Sequence, residues 1–181
     1  MATKPPSQNQ DRLKAHFLGH ALAEHDKRWD ALWSAGDFLP WDRGYTNPAL
    51  IDALNERKDL LPAPKSAAGG RTRALIPGCG KGYDIALFAA HGYDSFGLEV
   101  SENAVKAAEE YLKNPGEGPL EGEYKVVDNK NGRGVTKCLL GDFFKDDWFQ
   151  GTGGLKEGFD VIYDNTVSRT CTTHDPFAMI C

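Results

Sequence analysis

The stretch Leu75–Asp84 of this 181-residue chain reads LIPGCGKGYD. It overlaps a short apolar run, Arg73–Ile76, and precedes an alanine-rich apolar stretch with helical spacing, Ile85–Gly92. An apolar run of this length predicts a buried strand, and the glycines predict a tight turn that lets the backbone approach a ligand closely. Strand, glycine-rich turn and helix together begin the βαβ unit of a parallel sheet.

The chain on either side continues the same alternation. Ser95–Val100 predicts a second strand, and Ser101–Lys113 predicts a helix with one apolar face. The predicted fold class is therefore α/β, with four strands of a parallel core between Arg73 and Tyr163 and a helical N-terminal extension. The other predicted elements are a helix over Gln10–Ala35, a helix capped by Asn47, a hairpin joining Tyr124–Val127 to Val135–Leu140, and a buried strand over Phe159–Tyr163.

The spacing of the glycines separates two classes of cofactor. A dinucleotide fingerprint is GxGxxG, whereas this turn is GxGxG and has Tyr83 where the third dinucleotide glycine would fall. Glu99 ends the next predicted strand, where a carboxylate is placed to accept hydrogen bonds from both ribose hydroxyls of a nucleoside. S-adenosylmethionine has a ribose and no phosphate, so we expect it rather than a nicotinamide dinucleotide. The alternatives are a purely structural turn and a nicotinamide oxidoreductase.

A second acidic residue follows the strand predicted after the hairpin, in the stretch Gly141–Phe144. The carboxylate of Asp142 at a strand end is suited to accept from an exocyclic amine, and the ring of Phe143 is suited to lie on a purine face. The competing interpretation is a helix cap beside a core phenylalanine.

Three tryptophans lie close together in the N-terminal part, at Trp29, Trp33 and Trp41. Trp29 and Trp33 share one face of the predicted helix, which is also the pattern of an apolar helix docked on a sheet. The functional interpretation is an aromatic lid, because ring faces attract a positive sulfonium centre and exclude water. Trp148 is predicted to be a packing residue.

These motifs together resemble the thiopurine/thiol methyltransferase family, and most of all its plant and fungal thiol and halide methyltransferases. The resemblance rests on WxxxW and PWDxG in the N-terminal extension, LIPGCGKGYD, GLEVSENAV, GDFF and FDVIYD, and it covers Trp29–Asp164. It implies a Rossmann-like sheet, S-adenosyl-L-methionine as cofactor, and methyl transfer to a small thiol, bisulfide, thiocyanate or halide.

The resemblance also implies roles for individual residues. Trp29, Trp33 and Trp41 would form the cofactor-pocket wall, and Gly78 would lie beside the methionine portion. Glu99 would hold the ribose, and Asp142 with Phe143 would contact the adenine. Asn165 would make a further contact with the cofactor. Asn165 stands where relatives usually have an aromatic residue, and no side chain is singled out as a general base.

Composition and charge limit the partners and the compartment. The net charge is −5 and no basic stripe is present, so nucleic acid is not an expected partner. No apolar run is long enough to span a bilayer, and four cysteines without a CxxC pair indicate a reducing, cytoplasmic compartment. Cys79 is interpreted as a packing residue. His16 and His20 lack a third ligand, so no metal site is predicted, and a monomer is expected.

The two ends of the sequence carry predictions of their own. Residues 1–10 are polar and contain Pro-Pro, which indicates a disordered tail in front of one domain over 11–181. The residues after Asp164 show neither helical nor strand periodicity, which predicts that the C-terminal strands of the fold are missing. An inactive, truncated fragment that at most binds cofactor is therefore the alternative function. An exposed apolar strand edge near Val161, with poor solubility, is expected to follow.

Overall fold

The structure is a computed structural model, and it describes residues 8–65, 69–115, 121–127, 129, 131–152 and 158–165. Within this part, four parallel strands form one sheet in the order β3-β2-β1-β4. The strands are β1 (Arg73–Pro77), β2 (Asp94–Glu99), β3 (Thr136–Leu140) and β4 (Val161–Ile162). The predicted α/β fold with four parallel core strands is confirmed.

Helices connect the strands and extend the chain at its N-terminus. The five α-helices of the described part are α1 (Gln8–Phe17), α2 (His25–Ala35), α3 (Pro48–Glu56), α4 (Tyr83–Ala90) and α5 (Glu102–Lys113). Short 3-10 turns cover Leu22–Glu24, Glu121–Tyr124 and Asp147–Thr152. No helix among the described residues is long and apolar enough to cross a membrane.

The register of the strands places three carboxyl ends at one edge of the sheet. Pro77 of β1 is opposite Leu98 of β2, and Leu98 is opposite Leu139 of β3. Ligands of open parallel sheets bind outside this edge, because the loops that follow the strands meet there. The residues that follow β1, β2 and β3 are therefore the ones to examine for a site.

Apolar side chains cover both faces of the sheet. On one face, Phe88 of α4 lies in the same cluster as Ile76 of β1. On the other face, Leu75 and Leu98 pack against Trp148. Adjacent residues Leu75 and Ile76 point to opposite faces, as the two-residue period of a strand requires. Trp148 is 8% exposed, which agrees with its predicted packing role.

The single helix predicted over Gln10–Ala35 is wrong, because the structure contains two helices there. Gly19 has a φ of +80° between α1 and the 3-10 turn, and this left-handed conformation ends a right-handed helix. The break lets α1 fold back on α2, so that Phe17 and Leu32 are buried in a common cluster. Helix α1 begins at Gln8, so the last three residues of the predicted tail are helical, and residues 1–7 lie outside the described part.

The predicted hairpin is also wrong. Glu121–Tyr124 forms a 3-10 turn, and β3 pairs in parallel with β2. The backbone groups of β3 that face β2 are therefore paired within the sheet. Tyr124 is only 4% exposed, and its hydroxyl accepts a hydrogen bond from the Thr46 backbone N–H. Burial of the Tyr124 side chain against α4 outweighs the local turn preference of the sequence between Tyr124 and β3.

The strand predicted over Phe159–Tyr163 shortens to Val161–Ile162. The Phe159 ring instead joins the Trp148 cluster, with ring centroids 6.2 Å apart. Val161 is buried, whereas Ile162 is 56% exposed, and β4 is an outer strand of the described sheet; the exposed edge near Val161 and the poor solubility stay predictions. Residues 166–181, on which the prediction of missing strands rested, lie outside the described part.

Candidate functional site

The loop from β1 to α4 is shaped by three glycines. Gly78, Gly80 and Gly82 have φ angles of 57°, 53° and 83°, in the left-handed region that side chains with a Cβ disfavour. The alternation GxGxG is therefore a conformational requirement of this turn. We refer to residues 78–82 as the glycine loop. The loop lies at the ligand-binding edge of the sheet, as predicted.

Cys79 points from the glycine loop into the protein. Its Sγ lies 3.6 Å from Cys138 Sγ on β3, and the approach crosses β2 at Gly97. A Cβ at Gly97 would lie 2.5 Å from Cys79 Sγ, so only glycine fits there. The hydrogen bond with Cys138, together with burial, raises the pKa of Cys79 well above its ordinary value. The thiol therefore stays protonated, which agrees with the packing interpretation.

Glu99 ends β2 directly beside the glycine loop. It is 8% exposed, and its two carboxylate oxygens accept from the backbone N–H groups of Gly80 (3.1 Å) and Val100 (2.9 Å). Burial raises the pKa of Glu99, and the backbone hydrogen bonds only partly offset it. A carboxylate has about four acceptor positions, and the backbone N–H of Ser101 also acts on it, so the Glu99 carboxylate retains capacity for a ligand hydroxyl. The structure thus brings Glu99 and the glycine loop together as the sequence predicts.

The three predicted tryptophans are brought together as well. The Trp41 ring lies 5.1 Å from Trp29 and 6.0 Å from Trp33, edge to face in both cases. Two carbons of the Trp33 ring would lie 3.6 and 3.7 Å from a Cβ at Gly80, so this ring stands against the glycine loop. Trp29 packs instead on Phe17, at 4.6 Å between centroids. The cluster therefore combines a docked helix with an aromatic wall.

Two aspartates that the sequence analysis missed attach the tryptophan segment to the sheet. Asp30 accepts hydrogen bonds from Ser101 Oγ (2.6 Å) and from the Asn103 backbone N–H (3.0 Å), at the start of α5. Asp42 contacts Lys81 in the glycine loop. Each aspartate directly follows one of the tryptophans, in RWDALW and PWDRG, and this repeated Trp-Asp pair was the available signal.

Asp142 and Phe143 sit at the predicted strand end but contact their neighbours. Asp142 Oδ1 accepts from the Phe144 backbone N–H (3.0 Å), and Oδ2 lies 2.9 Å from Lys145 Nζ. Burial acts to raise the pKa of Asp142, but these contacts outweigh it and lower the pKa. Phe143 packs against the Trp148 cluster. The described contacts are those of a turn cap beside a packed ring, and an adenine role stays a prediction.

Asn165 follows β4 in the chain and contacts a residue outside the glycine loop. It is exposed, and its side-chain oxygen accepts from Asn47 Nδ2 at 3.3 Å. The Asn47 backbone N–H points to the buried Asp84 carboxylate at 3.4 Å. Burial raises the pKa of Asp84. This arrangement ties Asn165 to the start of α3, and its cofactor contact remains a prediction.

The sheet, the glycine loop after β1 and the buried carboxylate ending β2 define the class: a Rossmann-like α/β fold. One solved structure, reported as "Conversion of a Disulfide Bond into a Thioacetal Group during Echinomycin Biosynthesis", matches with a TM-score of 0.53 and 23% identity. The match covers 81% of this chain and 48% of that one, and it supports the fold.

The particular family follows from the sequence comparisons. The family model of thiopurine S-methyltransferase (TPMT) matches residues 24–167, and the chain belongs to this family. The family uses S-adenosylmethionine as methyl donor, and the matched range contains all the motifs from Trp29 to Asp164.

Curated relatives come from plants and bacteria. Thiocyanate methyltransferase 1 of Brassica oleracea is 31% identical over 154 residues, which are 84% of this chain and 52% of the relative. Probable thiol methyltransferase 2 of Arabidopsis thaliana is 36% identical, over 76% of this chain and 46% of the relative. Thiopurine S-methyltransferase of Pseudomonas paraeruginosa is 31% identical, over 64% and 47%. The chain spans about half the length of these relatives.

Proposed function

We propose that this chain binds S-adenosylmethionine at the glycine loop and transfers its methyl group to a small sulfur acceptor. The observation that carries the proposal is the meeting of Trp33, Gly80 and Glu99 at the carboxyl edge of the sheet. These three come from α2, the loop after β1 and the end of β2, so the fold assembles the site from separate parts of the chain.

The residues present fit the proposed cofactor. The glycine loop offers backbone without side chains, next to an aromatic wall and a carboxylate with unused acceptor positions. A positively charged sulfonium suits the face of Trp33, and a ribose suits Glu99. When bound, S-adenosylmethionine supplies a methyl group that is already activated for displacement.

The protein's own part in the reaction is binding, orientation and exclusion of water. Gly78 lets the backbone come close to the methionine portion, and Trp29, Trp33 and Trp41 close one side against solvent. We propose that Asp142 and Phe143 contact the adenine and that Asn165 makes a further contact with the cofactor. A nucleophile aligned in such a dry pocket gains most of its rate from position.

For the acceptor, we propose a small thiol, thiocyanate, bisulfide or halide. The names of the relatives support the sulfur acceptors, since one is a thiocyanate and one a thiol methyltransferase. Thiocyanate and halides are anions at neutral pH and need no base, whereas a thiol must first lose its proton. The free thiols of Cys79 and Cys138, whose sulfur atoms lie 3.6 Å apart without a disulfide, favour a reducing cytoplasmic compartment.

Titration calorimetry with S-adenosylmethionine and S-adenosylhomocysteine tests the binding step. Ligand at a hundred times its Kd should also raise the free energy of unfolding by about 2.7 kcal/mol. Methyl transfer to thiocyanate, bisulfide, a simple thiol and iodide is then followed by release of S-adenosylhomocysteine. Absence of binding at millimolar ligand would overturn the proposal. Binding without transfer to any acceptor would instead support the inactive, cofactor-binding alternative.

A further inference from the structure

The Asp42 carboxylate joins two loops that are distant in sequence. Its Oδ2 lies 2.7 Å from Lys81 Nζ, and its Oδ1 accepts from the Tyr83 hydroxyl at 3.0 Å. Lys81 is inside the glycine loop and Tyr83 is the first residue of α4. Asp42 itself follows Trp41, so two contacts of one carboxylate group connect the tryptophan segment to the glycine loop and to the start of α4.

The Asp42 carboxylate is held in an orientation that permits these contacts. Its Oδ1 also accepts from the Gly44 backbone N–H at 2.9 Å, and the Asp42 N–H donates to the Leu39 carbonyl at 3.0 Å. These bonds close residues 39–44 into a tight turn. The side chain of Asp42 is 10% exposed and that of Lys81 is 37% exposed, so the ion pair is only partly screened by solvent.

The charges agree with a permanent ion pair. Burial acts to raise the pKa of Asp42, but hydrogen bonds from Lys81 and the Gly44 N–H outweigh it and lower the pKa. Burial, together with the neighbouring Asp42 charge, raises the pKa of Tyr83, so its hydroxyl remains a donor. At neutral pH, Asp42 is therefore negatively charged, and Lys81 Nζ and the Tyr83 hydroxyl both donate to it.

The consequence for the site follows from the position of the rings. Trp41 is edge to face with Trp33, whose ring stands against Gly80. Asp42 holds the turn that carries Trp41, and through Lys81 it holds the glycine loop itself. Asp30 acts elsewhere, because its hydrogen bonds fix α2 to the start of α5.

We propose that Asp42 is a positioning residue that fastens the Trp41 turn to the glycine loop through Lys81 and Tyr83, and so holds Trp33 and Trp41 closed over the cofactor site. This inference rests on the proposed function, because the cofactor is what the closed wall would cover. Asp42 acts through the tryptophans and the loop, and it is assigned no contact with the reacting atoms.

The test compares binding of S-adenosylhomocysteine by the full chain and its variants. Asp42→Asn and Lys81→Met should each raise Kd about tenfold with the binding stoichiometry unchanged, since each removes a charge-assisted contact. The double variant should show about the same tenfold rise, because both changes remove one shared interaction. A residue that only supports folding would lower the stoichiometry, as inactive protein accumulates, and leave Kd of the folded fraction unchanged.

Asp94→Asn is the matched control. Like Asp42, Asp94 pairs with a basic side chain and accepts from a backbone N–H. Its partners are Arg71, at 3.8 Å, and the N–H of Val135. It begins β2, at the opposite end of the strand from Glu99. We expect this variant to lose stability and to keep the wild-type Kd.

A second readout uses the cofactor-free protein. Acrylamide should quench tryptophan fluorescence more strongly in Asp42→Asn and Lys81→Met than in wild type or Asp94→Asn, because the Trp41 turn is released. Wild-type Kd and wild-type quenching in Asp42→Asn would overturn the inference while leaving the proposed function standing. Failure of the wild-type chain to bind S-adenosylhomocysteine would overturn the proposed function and, with it, the inference.

Discussion

The glycine-loop half of the molecule and its outer-strand half are built differently. Around β1 and β2, side chains from distant parts of the sequence converge: Trp33 meets Gly80, Asp42 meets Lys81, and Glu99 binds the loop backbone. After the outer strands the polar side chains differ: Asn165 reaches Asn47 at the start of α3, whereas Asp142 contacts only its own sequence neighbours among the contacts described above. Asp142 is paired with Lys145 three residues away.

The difference has a physical origin in the sheet. Strands β1 and β2 are central and each has a partner on both sides, whereas β3 and β4 are the outer strands of the described sheet. Central positions are enclosed by packing on both faces and both edges, which fixes the loops that follow them. The long-range contacts around β1 and β2 therefore lie at the methionine and ribose end of the proposed site.

The largest expected effect comes from breaking the packing under the glycine loop with Gly97→Ala. The new Cβ would lie 2.2 Å from Ile85 Cδ1 and 2.5 Å from Cys79 Sγ, so the loop must shift. Overpacking of this kind costs about 1–3 kcal/mol of unfolding free energy, measured by urea denaturation. Affinity for S-adenosylhomocysteine should fall with it.

Gly122→Ala serves as the control for that change, because a Cβ there meets nothing within 4 Å. It should leave both stability and affinity unchanged. A Gly97→Ala protein with the stability and affinity of wild type would refute the close approach of the glycine loop to β2.

A second experiment compares the carboxylates of the two halves directly. Glu99→Gln should weaken binding of S-adenosylhomocysteine about tenfold to a hundredfold, since hydrogen bonds to a charged group contribute about 1.5–3 kcal/mol. Asp142→Asn should cost less than about fivefold, because that carboxylate is already shared with Lys145 and is 27% exposed. Calorimetry measures both, and equal losses would remove the distinction between the halves.

The dependence of stability on pH gives a smaller effect. The Ser101 hydroxyl lowers the pKa of Asp30 by hydrogen bonding, with help from Asn103. A folded-state pKa below the unfolded value of about 3.9 means that Asp30 stabilises the fold fully above that pH. The contribution is lost as the pH falls through the lowered folded-state pKa.

Unfolding free energies measured from about pH 2 to about pH 6, the range in which carboxylates titrate, test this contribution of Asp30. Asp30→Asn should be less stable than wild type at the upper end, and the two curves should converge in acid. Asp52→Asn, on the exposed side of α3, is the control and should follow wild type. Parallel curves for wild type and Asp30→Asn would contradict the assignment.

The smallest effect is expected at Ile162, the exposed residue of the outer strand β4. Ile162 is 56% exposed, so Ile162→Thr should change stability by less than about 0.5 kcal/mol and reduce self-association, measured by light scattering. Its neighbour Val161 is buried, and Val161→Thr should lose about 1–3 kcal/mol because a hydroxyl enters the core. A large stability loss in Ile162→Thr would show that this face of β4 is covered.

Local patterns predicted the central half well. The run before the glycines, the GxGxG spacing and the acidic end of the next strand gave β1, the glycine loop and Glu99 in their observed places. The Asn47 cap was also found, since its side chain accepts from the Ala49 N–H at 3.0 Å. Patterns failed where long-range contacts decide, as at Tyr124, whose burial replaced the predicted hairpin.

The sequence by itself determined the α/β class, the left-handed turns at the glycines and the clustering of the tryptophans, because each depends on local conformation or on a short-range apolar pattern. Only the tertiary structure decided which ring stands against Gly80, that Asp42 reaches Lys81, and that Cys79 passes over Gly97 to Cys138. These contacts join residues tens of positions apart. Their geometry is fixed by the packing of the sheet and its helices, which local periodicity does not encode.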